Sequence, residues 1–461
     1  MSDGDGMSGE HALADDPAAG VAPDPSPKVS ARAIVSDPAV RVVLLMVFVI
    51  MLGFGLIAPI LPLYARSFGV SYETASLLIS AFAFARLVFD PVAGPIVDRI
   101  GERLSATLGV AVVGVSALLA GLAPNFALAV LFRGAGGAGS SVFFAALYSY
   151  LLKVVPSDRM GRTLSLLYGS LNVGIIAGGP IGGVIAHLWG LASPLFVYAG
   201  LCAVSGGLHL WLMRDPRPAV AGRPVRDSQR IEEKRDEPGG PAIAAEKGES
   251  VWRRTSIQVR ELLAMPAFVT VIVLNMAFFW VVAGGYDTLV PLFAREGLGM
   301  STVGVGGIFA IVVVSEFLVL YPAGSTADRI GRKPVLVVSM AWLAVVIVFT
   351  GWARSPFALG VAMGLLGLAS GSAAASPAAM LSDIVPGQGS GTAVGVFRFA
   401  GDLGFVCGPL MAGVAANHFG FRGAFALMAA PVLLALVLIL RTPETLRRRQ
   451  AEALASEPQL G

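Results

Sequence analysis

A short polar stretch, Gly94-Pro-Ile-Val-Asp98-Arg99-Ile-Gly101-Glu102-Arg103, returns as Gly324-Ser-Thr-Ala-Asp328-Arg329-Ile-Gly331-Arg332-Lys333, displaced by 230 positions. Each copy ends one long apolar run and begins another, so each reads as a loop between two membrane helices. The same displacement carries Gly174 and Gly178 onto Gly404 and Gly408, Pro156 and Gly161 onto Pro386 and Gly391, and Gly190 onto Gly420. One offset holding at landmarks so far apart implies a chain built from two copies of one unit.

The chain is 55% hydrophobic and 14% charged. Its apolar runs reach the roughly 20 residues that a helix needs to cross a bilayer. Twelve spans are predicted, starting near Val40, Thr74, Ser105, Phe126, Thr163, Ser193, Pro266, Thr302, Val335, Phe357, Thr392 and Gly423. The fold class is therefore an all-α polytopic membrane protein with two pseudo-symmetric six-helix bundles, over 39–213 and 261–441. Loops on one side carry Arg99, Arg103, Lys153, Arg159, Arg162, Arg329, Arg332 and Lys333, whereas the other side has single arginines such as Arg66, Arg295, Arg354 and Arg422. The excess of positive charge retained inside cells places both termini in the cytoplasm of a multi-pass protein of the cell (inner) membrane.

Residues 1–38 are rich in Ala, Asp, Gly and Pro, lack an apolar core and read as a disordered cytoplasmic tail. The segment 214–260 is polar and of mixed charge, a cytoplasmic linker with a short surface helix near Glu249 to Leu263; 442–461 is a second cytoplasmic tail. The nearly balanced charge of the linker and its scarce aromatics argue against nucleic-acid binding. Cys202 and Cys407 lie in different spans as packing residues. No Gly-x-x-x-x-Gly-Lys loop, metal cluster or nucleophile–base constellation is apparent, so neither a cofactor nor enzyme chemistry is expected.

The repeated loop resembles the signature of the major facilitator superfamily of secondary transporters: Gly, three residues, Asp-Arg, one residue, Gly and a basic pair. The pair is complete at Arg332 and Lys333, while Glu102 replaces one base in the first copy. The resemblance extends over about residues 40 to 441. It assigns gating to Gly94, Asp98, Arg99, Gly101 and Arg103 and to Gly324, Asp328, Arg329, Gly331, Arg332 and Lys333. Asp98 and Asp328 are expected to lock the cytoplasmic side through an adjacent helix N-terminus and the loop arginines. In the fifth span, Gly174-Ile-Ile-Ala-Gly178-Gly179-Pro180 resembles the antiporter signature of the family, and Gly404-Phe-Val-Cys-Gly408-Pro409 repeats the form in the eleventh. Small residues four apart make a flat face, suited to a sliding contact between the halves. The first span, with Pro59, Pro62 and Tyr64, is similar to that of twelve-span drug–proton antiporters.

Ionisable groups inside spans are costly and mark candidate proton-coupling residues: Arg86, Asp90, Arg133, Asp287, Glu316, Arg398 and Asp402. Arg133 opens a glycine-rich stretch resembling the fourth-span motif of the family, which is associated with proton transfer; its counterpart in the second half is Met363. Helix direction sets Asp90 about 12 Å above Asp98 and brings Arg86 and Asp402 to a common depth, so a quartet with Asp90 and Arg398 is expected; by helix periodicity Asp402 instead pairs in its own half or lines the cavity. Glu316 maps onto Arg86 at the repeat offset and has no obvious cationic partner, with Tyr168 or Asn172 as candidate hydrogen-bonding neighbours. It is either a group that binds and releases protons or a permanently protonated acid bonded across helices. Pro59, Pro62, Asn275, Trp280 and Tyr286 are the candidate cavity residues.

The resemblance implies proton-coupled efflux of small amphipathic or lipophilic compounds by alternating access. Its partners are thus a small-molecule substrate, protons and the lipid bilayer. Uptake of a native metabolite by proton symport or facilitated diffusion, and a non-transporting membrane sensor, are the alternative readings.

Overall fold

The computed structural model describes residues 36–155, 157–213, 251–374, 376–385 and 390–445. Most of the two tails and most of the linker expected from the sequence lie outside these residues. The first six spans are Pro38–Ile57 with its continuation Leu61–Arg66, Tyr72–Ile100, Glu102–Gly121, Phe126–Val154, Ser157–Trp189 and Ser193–Leu212. A helix at Val251–Leu263 leads into the second six: Pro266–Gly297, Thr302–Ile330, Arg332–Thr350, Pro356–Ile384 and one helical stretch, Ser390–Arg441, broken at Gly420 into the eleventh and twelfth.

Local chemistry sets the ends of these helices. Ser71, Asn125 and Ser301 cap the second, fourth and eighth spans by accepting from the backbone N–H of Thr74, Leu128 and Gly304 at 3.1, 3.0 and 3.2 Å. The glycines at positive φ fall into three pairs at the repeat offset: Gly69 and Gly299, Gly101 and Gly331, Gly190 and Gly420. At Gly101 (φ 83°) and Gly331 (φ 117°) the chain reverses between one span and the next, a conformation that a Cβ would strain.

Each half encloses its own apolar core. Phe143, Leu147 and Leu195 are at the centre of the first, and Phe268, Phe425 and Met428 at the centre of the second. The loop residues bind within their own half, in equivalent places. Arg103 donates to the carbonyl of Leu210, and Lys333 donates to that of Leu440 at 2.9 Å. Glu102 is buried and pairs with Lys153 and Ser149, whereas in the second half Arg332 faces Asp383 at 3.5 Å. The signs of this pair are inverted between the halves. Glu102, which replaces a base in the first loop, is therefore an anchor to the fourth span.

The glycine rows depart from expectation. A Cβ added at Gly174 or Gly178 would press on the backbone of Phe48 or Gly55, both in the first span. Gly404 and Gly408 abut the backbone of Met276 and Trp280 in the seventh. These rows fasten spans within a half and form no sliding contact between halves. Pro180 and Pro409 lie within the same helices. The reason is helical phase: residues one position further round the fifth and eleventh helices meet the opposite half. Gly179 lies against Gly306, Gly183 against Thr302, and Gly413 against Tyr72. Gly183 and Gly413, like Tyr72 and Thr302, are equivalent under the repeat.

Candidate functional site

The contacts between halves begin at the loops opposite the basic ones. Arg66, at the end of the first span, donates from Nε to Glu296 Oε1 at 3.0 Å and from Nη2 to Oε2 at 3.3 Å. The Tyr72 hydroxyl donates to the same carboxylate at 2.5 Å, and its ring lies 4.4 Å from the guanidinium carbon. Arg66 and Glu296 are themselves 230 positions apart, so equivalent residues of the two halves grip each other at the pseudo-two-fold axis. The sequence reading missed this cluster; the repeat offset maps Arg66 onto Glu296 and is the signal that finds it.

Deeper in the membrane, Ser80 donates to the carbonyl of Val406 at 2.8 Å. Next come Arg86 paired with Asp402, and Arg398 with Asp90 at 3.9 Å. Asp402 thus faces the second span, and the structure brings all four charges together across the halves. Asp90 also accepts from Ser141 of the fourth span, and Arg86 packs over the ring of Phe405 at 5.7 Å. Further towards the basic loops, Gly94 and Asp98 are exposed, and a Cβ at Gly94 would meet nothing within 4 Å. Gly324 is half-buried, Arg99 and Arg329 are exposed, and Asp328 pairs with Arg332 of its own loop. Asp328 thus meets a loop arginine as expected, but among the described residues no ion pair or hydrogen bond joins the two loops across the halves, so they do not lock the halves in this conformation.

Between the halves lies a cavity of about 30 Å³, lined by Phe54 and Leu61, Phe82, Arg133, Asp287 and Phe405 among others. Arg133 is 2% exposed, its guanidinium 3.9 Å from the centre of the Phe82 ring. Its Nε and Nη1 have no hydrogen-bond acceptor. Asp287 is 8% exposed and sits in a stretch of wide π-helical turns, Val281–Leu289, in the seventh span. Such turns rotate side chains out of α-helical phase and recur at functional sites.

Asp287 also neighbours Glu316. The Glu316 carboxyl accepts from Ser370 of the tenth span at 3.0 Å and lies beside Tyr286. Tyr168 and Asn172, its expected partners, are engaged elsewhere: Tyr168 with Tyr148 at 3.3 Å, and Asn172 with the carbonyl of Tyr168. The cause is that Glu316 packs inside its own half, against the tenth span, where the repeat argument looked to the fifth.

The five candidate cavity residues are placed differently from expectation. Pro59 lies where the first span breaks and Pro62 in its continuation, while Ala58 and Leu61 supply the wall. Asn275 donates to the carbonyl of Phe397 at 2.8 Å, and Trp280 backs the glycines of the eleventh span. Tyr286 attends Glu316. Aromatic rings of the first, second and eleventh spans line the cavity instead, with no sequence motif marking them.

Paired six-helix bundles enclosing ionisable groups at mid-membrane define a multi-pass carrier architecture. The chain belongs to the Major Facilitator Superfamily, whose profile matches residues 43–320 and 302–459. It is 26% identical over 416 residues to the multidrug resistance protein MdtG of Enterobacter lignolyticus, covering 88% of this chain and 91% of that protein. It is 26% identical over 174 residues to the quinolone resistance protein NorA of Staphylococcus aureus, covering 38% and 45%. A solved bacterial homologue of the human lysosomal transporter Spinster, inward-facing and occupied, shares the fold with a TM-score of 0.69 at 14% identity, over 87% of this chain and 95% of that one.

Proposed function

We propose that the protein couples proton entry to the export of small amphipathic or lipophilic compounds by alternating access, across a cell (inner) membrane with both termini in the cytoplasm. The observation that carries this reading is a pair of buried carboxyl groups that form no ion pair among the described residues. Asp287 faces the inter-half cavity and Glu316 is held by Ser370 and Tyr286. Unneutralised carboxyls in hydrocarbon are costly and serve where protons or cations pass. Glu316 is the proton carrier in this reading, and Asp287, facing the cavity, is where substrate and proton compete. Relatives named for multidrug and quinolone resistance support export and drug-like cargo.

With the basic loops in the cytoplasm, this conformation is closed outside and faces inward. The charge quartet then marks the inner limit of closure, and the Asp98 and Asp328 loops close the cytoplasmic side in the opposite state. The test is expression in a host stripped of its own efflux pumps, with accumulation of a dye panel followed with and without a proton uncoupler. Export that collapses with the gradient is expected, whereas substrate-stimulated uptake would assign symport. Glu316→Gln should abolish gradient-driven export and retain exchange that needs no proton. If that variant exports with wild-type rate and pH dependence, Glu316 is structural.

A further inference from the structure

We propose that the central cavity selects amphoteric aromatic compounds, binding a substrate carboxylate at Arg133 and a substrate cationic group at Asp287. The inference rests on the export reading and names its substrate class. Its basis is two ionisable groups of opposite sign, one from each half, that share a cavity and form no ion pair with each other. Arg133 leaves two of its nitrogens without an acceptor, and Asp287 forms no ion pair with it. A buried guanidinium with unmet N–H groups costs free energy unless an acceptor arrives. Phe82 covers the flat face of Arg133, so an incoming carboxylate meets its edge, where charge-assisted hydrogen bonds form.

The two walls exclude simpler ligands. A purely cationic lipophile would be attracted by Asp287 and repelled by Arg133, with nothing to offer the orphaned N–H groups. A purely anionic one would meet Asp287 and, behind it, Glu316. Only a molecule carrying both signs satisfies both sides. Phe54, Phe82 and Phe405 give its aromatic body a surface to pack on. At about 30 Å³ the cavity now admits only a water or two, so a substrate enters with the halves moved apart. The polarity of the two walls is carried by the rigid halves and persists through that motion.

The test compares rhodamine B, which carries a carboxylate and a cationic ring system, with its ethyl ester, which keeps only the cation. Binding of each to the purified full chain in nanodiscs is read by fluorescence polarisation. The acid should bind about tenfold more tightly than the ester. Arg133→Gln should weaken the acid to the affinity of the ester or below it, while the ester, relieved of the repulsion by Arg133, should bind as tightly as before or more tightly. Equal or tighter binding of the ester to the wild-type chain overturns the proposal, as does failure of either dye to bind. That comparison needs no variant and so survives a misfolded Arg133→Gln. Proton-driven dye export by vesicles separates the two readings. Selective binding without export supports this site and defeats the export reading. Export without selectivity overturns the site and leaves export intact.

Discussion

Replacing Glu296 by Gln should loosen the outer closure without unfolding either half. The carboxylate meets Arg66 through two N–H groups and accepts from Tyr72 at 2.5 Å, with the two ion-pair side chains 28% and 29% exposed. A pair so placed contributes at most about 1 kcal/mol. Weakening a hydrogen bond to a charged acceptor adds about 1 kcal/mol after allowance for solvent. The amide keeps its size and one acceptor, and the stacking of Arg66 on Tyr72 is untouched. Together the loss is about 1–2 kcal/mol, or a 5- to 30-fold shift towards the outward-open state. Electron–electron double resonance between spin labels at Pro124 and Arg354, exposed and equivalent in the outer loops, reads that population. Cys202 and Cys407 are first replaced by Ser. The long-distance population should rise in Glu296→Gln and return to wild type in the Arg66→Glu, Glu296→Arg exchange. Unchanged distances in Glu296→Gln would refute the reasoning and leave the closure to the glycine seams, the Ser80 hydrogen bond and the charge quartet.

The charge quartet should behave more severely at its one buried member: Arg86→Asp alone takes the ion-pair partner from Asp402, which is 8% exposed, at a cost of up to about 3–5 kcal/mol. Transport and melting temperature should fall in Arg86→Asp and in Asp402→Arg and recover in the double exchange; no recovery counts against direct pairing. Gly178→Val should reduce the yield of folded protein, since overpacking against the first span costs about 1–3 kcal/mol, whereas Gly183→Val should spare folding and shift the same spin-label distances outward. Asp98→Asn, at an exposed position, should leave the melting temperature unchanged within error and slow transport in vesicles; unaltered turnover would remove the loop from the gating cycle.

The repeat carried most of what was legible in the chain. It located both loops and two of the three pairs of positive-φ glycines, Gly101 with Gly331 and Gly190 with Gly420, and helix direction placed the quartet at matching heights. Phase was harder to read than depth. Gly178 and Gly179 are neighbours in sequence, yet one packs on the first span and the other on the eighth, because about 100° of rotation separates adjacent residues. For Glu316 the offset gave the position within the half and not the neighbour, which is Ser370 of the tenth span. The phenyl rings of the cavity were illegible for a different reason: Phe54, Phe82 and Phe405 come from three spans, and only packing makes them adjacent.

The grip of Arg66 on Glu296 bears on ancestry. In a symmetric dimer of identical subunits, a residue at the two-fold axis meets its own copy. Two first halves assembled that way would set Arg66 against Arg66, and two second halves Glu296 against Glu296; either arrangement repels. The outer clasp therefore arose after the duplicated halves had diverged. From then on, neither half could replace the other: a gene encoding two copies of one of them would produce a carrier whose outer gate pushes itself open.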